Sequence, residues 1–77
     1  MYKFYRPTGT DTLRKVYDTE TNTVIALIGR VDELLRLQII FPDNTDGNGD
    51  KWLVIPKNDV ARIREYNSLE EAKAIYR

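Results

Sequence analysis

Leu37-Gln38-Ile39-Ile40-Phe41-Pro42-Asp43-Asn44-Thr45-Asp46-Gly47-Asn48-Gly49-Asp50-Lys51-Trp52-Leu53-Val54-Ile55 is the stretch whose reading decides the fold. Two apolar runs, 37–41 and 52–55, enclose a polar segment built from Asp, Asn and Gly. These residues tolerate left-handed backbone at little cost, so the segment reads as a long hairpin connection. Upstream, Leu35, Leu37, Ile39 and Phe41 alternate with Arg36, Gln38 and Ile40, which predicts a strand from about Leu34 to Phe41. A helical turn through Val31, Leu34 and Leu35, with Asp32 and Glu33 at its start, competes with that reading. The alternation is longer, so the strand is preferred. Downstream, Lys51 to Ile55 is apolar on both faces and reads as a central or covered strand ended by Pro56.

Working outward, aromatic-rich Tyr2 to Arg6 predicts a first strand, closed by the turn formers Pro7-Thr8-Gly9-Thr10. Leu13 to Tyr17 and Thr23 to Ile28 flank Asp18-Thr19-Glu20-Thr21-Asn22, a hairpin pattern. Asp59 to Tyr66 is balanced. Val60, Ile63 and Tyr66 suit a helix, whereas Val60, Arg62, Arg64 and Tyr66 suit one face of a strand. The C-terminus carries the clearest helix start, because Ser68 and Glu71 have the spacing of a capping box. Leu69, Ala72, Ile75 and Tyr76 then share a face. The sum is a single domain over 1–77 of α+β class: a small antiparallel sheet of about five strands, a meander, with a C-terminal helix packed on one face.

Composition narrows the function. In 77 residues, 42% hydrophobic and without cysteine, stability rests on the core alone or on burial against a second copy or a partner. A protein partner or a homo-oligomer is therefore expected. Twelve basic residues balance twelve acidic ones, which removes the usual footprint of a duplex-binding protein. No apolar run approaches the roughly 20 residues of a membrane span. Met1 to Pro7 lacks the pattern of a secretion signal, so a cytoplasmic protein is expected. Histidine is absent along with cysteine. The usual general base, metal ligand and activated nucleophile are thus missing, and neither an enzyme nor a cofactor is expected.

Four groups of residues remain as candidates. Asn44, Asp46 and Asn48, followed by Gly49, place oxygens at alternate positions like the first half of a calcium loop. The first ligand is Asn rather than Asp, however, and Ile55 stands where a bidentate Glu is needed. Asp43, Asp46 and Asp50 are paired carboxylates in principle, but nothing in a Gly-containing loop fixes them. Arg62, Arg64 and Tyr66 would line one face of a strand and suit a nucleotide or single-stranded nucleic acid. Tyr2, Phe4, Tyr5 and Arg6 form a short aromatic edge suited to protein contact, tyrosine being enriched at binding hot spots. The expectation is a non-catalytic binding module acting through protein–protein contacts, a regulator or inhibitor of the kind a bacterium or phage encodes. The alternative is a nucleotide or nucleic-acid module using the Arg/Tyr surface.

Overall fold

The computed structural model describes residues 1–45 and 48–76. Five strands, β1 (Tyr2–Tyr5), β2 (Arg14–Asp18), β3 (Thr23–Arg30), β4 (Trp52–Pro56) and β5 (Arg64–Tyr66), form one antiparallel sheet in sequential order. Two short helices, α1 (Val31–Arg36) and α2 (Leu69–Lys73), complete the α+β fold. The expected meander with its C-terminal helix is what forms. Ser68 accepts the amide of Glu71 at 3.2 Å, the cap that the spacing predicted, while the Glu71 carboxylate accepts at 3.1 Å the amide of Asn67, one residue before the cap, rather than that of Ser68.

The expected strand over Leu34 to Phe41 does not exist, and the polar segment is not a hairpin. The chain turns from β3 straight into α1, and β4 returns to pair with β3 itself, with Gly29 opposite Leu53. Two forces favour the helix. Val31 and Leu34 are fully buried against Leu13, Leu53 and Ile55, which an alternating strand would have split between two faces. The first helical amides are also satisfied from elsewhere: Val31 N–H donates to the Lys51 carbonyl and Asp32 N–H to that of Gly49. The helix then stops at a Schellman motif, where Ile39 N–H reaches the Leu34 carbonyl and Gln38 N–H that of Leu35. Gln38 holds the left-handed position, φ +60°, that glycine usually fills. That stop was invisible in sequence because no glycine marks it.

The ambiguous segment 59–66 is split. Val60–Arg62 form a 3₁₀ turn, and only Arg64–Tyr66 join the sheet. Both sheet faces carry a core. On the α2 side lie Val16, Ala26, Ile28 and Val54, with Tyr2, Phe4, Trp52 and Tyr66 around them and Ala72 pressed on top. On the α1 side lie Leu13, Val31, Leu34, Ile40, Leu53 and Ile55. β4 is covered on both sides, as its apolar run predicted.

Candidate functional site

The two helices do not cover the sheet equally. A six-residue helix is about 9 Å long, whereas eight-residue β3 runs about 26 Å. α1 leaves β3 at Arg30 and packs over Gly29 and Leu53, so its side of the sheet is roofed at that end and open at the other. The open part presents Lys3 and Tyr5 from β1, Lys15 and Tyr17 from β2, Leu27 from β3 and Ile55 from β4, all on one face by register.

A bulge enlarges this surface. Val16 pairs with Ala26 but Tyr17 pairs with Val24, so Ile25 is an extra residue in β3. Without it, Val24 would share the α2 side with Ala26. The bulge sends Ile25 into the α2-side core and turns Val24 towards the open face beside Leu27. The result is a groove of about 390 Å³ with walls from Val24, Leu27, Ile55 and Pro56, and lysines 15 and 57 at its margin. Tyr5, 50% exposed, and Tyr17 flank it as an edge-to-face pair 5.9 Å apart.

A second cavity, about 450 Å³, lies where the β1–β2 connection meets α1 and is polar: Asp11, Thr12, Arg30, Asp32, Glu33 and Arg36. Its centre is Glu33, buried although charged. One carboxylate oxygen accepts the Thr12 and Leu13 amides, each at 2.8 Å, and the Thr12 hydroxyl at 2.6 Å. The other accepts the Asp11 amide at 2.8 Å and pairs with Arg36 at 3.0 Å. Burial pushes this carboxyl up, but the Thr12 hydroxyl and the three amides outweigh it and hold the pKa at about 2. Every acceptor site is taken by the chain itself, so Glu33 clamps the 10–13 segment onto α1 rather than offering a free base. Arg30 is held through one terminal nitrogen, between Asp32 at 3.0 Å and Asp50 at 3.2 Å, while its buried Nε has no hydrogen-bond partner among the described residues. Elsewhere, burial and then the neighbouring Tyr66 and Tyr2 push the Tyr76 phenol up.

The sequence candidates fall as follows. Tyr2 and Phe4 point to the α2 side, where Tyr2 meets Tyr76 edge-on at 5.4 Å and Lys73 sits 5.0 Å above the Phe4 ring. Tyr5 points to the open face, and Arg6 folds back onto the Thr10 carbonyl. That group therefore divides between two faces; Tyr5 shares the groove's face, and none of the four lines the groove itself. Arg62 lies in the 3₁₀ turn, paired with Asp59 at 3.1 Å. Arg64 is exposed on the α2 side, and Tyr66 packs into the core there, so the three do not line one surface. Asp46 and the side chain of Asn44 lie outside the described residues. The Asn48 side chain accepts the Asp50 amide at 3.1 Å, an Asx turn. Among the described residues no group of three or more carboxylates is placed to hold a metal, and no helix is long and apolar enough to cross a membrane.

Sequence reasoning missed the groove itself. The hairpin of 13–17 and 23–28 was expected, but nothing in Val24-Ile25-Ala26 announces the bulge. No family model matches this chain, and no curated protein or solved structure shows significant similarity to it.

Proposed function

We propose that this protein is a non-catalytic binding module that docks a protein partner on the open half of the α1-side sheet face. The observation that carries the reading is the groove. A small domain with few apolar residues to spare leaves Val24, Leu27, Ile55 and Pro56 around an unroofed cavity, with exposed Tyr5 and half-buried Tyr17 paired on the same face. Its volume is near the lower end for sites that take a ligand group, enough for one or two apolar side chains. The other cavity offers no comparable role, because Glu33 and Arg30 are engaged within the chain. The Arg62, Arg64 and Tyr66 set is likewise divided between an ion pair and the core. Lacking histidine and cysteine, such a module acts by occupancy, as a regulator or inhibitor of the protein it covers.

Selection of a random displayed peptide library against the protein, followed by backbone NMR with an enriched peptide, tests this. Shifts concentrated on Lys15, Val24, Leu27 and Lys57 are expected. Shifts centred on Arg64, Tyr66 and α2 instead would place binding elsewhere and end the proposal.

A further inference from the structure

The charged side chains are not distributed evenly, and their partners say what the groove is suited to hold. Arg30, Arg36 and Arg62 are in ion pairs. Arg6, Arg14 and Arg64 donate to backbone carbonyls, Lys51 donates to Asn67, and Lys73 lies over the Phe4 ring. Among the described residues, three side-chain cations remain without such an engagement: Lys3, Lys15 and Lys57. All three belong to the open face, and no carboxylate lines the groove between Lys15 and Lys57. The groove of a protein of zero net charge thus carries at its margin, among the described residues, two lysines without a side-chain partner and no carboxylate.

We infer that the groove takes an acidic protein segment, one that presents a large apolar side chain to Val24, Leu27 and Ile55 and carboxylates to Lys15 and Lys57. The inference rests on the docking reading above and names its partner by chemistry. Apolar burial supplies affinity, and the two lysines supply orientation and a faster encounter. A second copy of this chain is the poorer occupant, because a two-fold contact through this face would set the same lysines against each other. A nucleic acid is also the poorer occupant. The groove walls are aliphatic rather than aromatic, and Tyr5 and Tyr17 meet each other edge-on.

The test uses four fluorescent probes: a short peptide with a central Leu-Phe flanked by glutamates, the same peptide flanked by serines, the same flanked by lysines, and oligothymidine. The acidic peptide should bind best and weaken as salt rises. Lys15→Glu with Lys57→Glu should weaken it by about tenfold, since each pair at a groove rim is worth up to roughly half of that factor on a logarithmic scale. The charge-reversed protein should in turn prefer a lysine-flanked peptide, a gain that misfolding cannot produce. Equal binding of the serine peptide, unaffected by charge reversal, would overturn the acidic preference and leave the docking face standing. Binding of no peptide, with no groove amide shifted, would remove the docking face as well. Lysine-dependent binding of oligothymidine alone would replace the partner class and overturn the inference.

Discussion

Replacing Glu33 by glutamine changes one atom and should cost this domain much of its stability. The wild-type carboxylate accepts three backbone amides at 2.8 Å, the Thr12 hydroxyl at 2.6 Å and the Arg36 guanidinium at 3.0 Å. A glutamine amide nitrogen is a donor, so one side of the clamp would face donors with a donor. Hydrogen bonds to a buried charged group contribute about 1.5–3 kcal/mol each and are not additive, so losing one side and weakening the other predicts about 3 kcal/mol. A domain of this size has roughly 4–12 kcal/mol in total. The expected fall in Tm is therefore about 12–24 °C, at roughly 4–8 °C per kcal/mol. The fluorescence of Trp52, the sole tryptophan, reports urea and thermal unfolding alongside far-UV circular dichroism. An independent signature comes from pH. The Glu33 pKa is lowered from 4.5 to about 2 on folding. A group depressed in this way contributes fully above about 4.5 and loses its contribution as pH falls towards 2. That drop corresponds to at most about 3 kcal/mol. The glutamine variant should lack this portion of the acid slope. A variant within about 0.5 kcal/mol of wild type at neutral pH, or one whose acid slope parallels it, would refute the clamp.

Ser68→Ala should cost on the order of 1 kcal/mol through loss of the bond to Glu71 N–H; an unchanged melting curve would mean that α2 needs no cap. Gly29→Ala would place a Cβ 2.9 Å from Leu34 Cδ2, which is fully buried and cannot yield, so a loss of about 1–3 kcal/mol is expected; wild-type stability would show that α1 shifts freely over β3. Gln38→Gly should instead stabilise by about 0.5–1 kcal/mol, because glycine adopts the left-handed backbone at that position without penalty. A destabilised glycine variant would imply that the Gln38 side chain makes a contribution of its own.

The turns that bound the strands and the Ser68/Glu71 cap were legible because both are local: turn formers and a fixed spacing are written in adjacent residues. The region from Val31 to Phe41 was not, for a physical reason. Leu35, Leu37, Ile39 and Phe41 alternate as a strand would, yet the outcome is set by Leu13 and Leu53, distant residues that receive Val31 and Leu34 together. Glu33 looked like an ordinary acidic residue in a first helical turn. Its role depends on amides more than twenty residues away, which no window of sequence contains. The groove was hidden by the same logic, since a bulge at Ile25 reassigns Val24 to the opposite face without any glycine to announce it. The site candidates were chosen by residue type, and the fold then divided Tyr2, Phe4 and Tyr5 by strand parity alone.

The sequential order of the strands also bears on how the chain finds its structure. Each strand pairs only with its neighbours along the chain, so most closures span short loops and are entropically cheap. The exception is β3 to β4, separated by residues 31–51, and this is the slow closure. Before it occurs, the β1–β2–β3 meander requires nothing beyond residue 30, so it can assemble while β4 is still being synthesised, whereas α1 and its Glu33 clamp draw on Gly49, Lys51 and Leu53. Mutations in the β2–β3 pairing should accordingly slow folding itself, whereas those at Glu33 should mainly speed unfolding.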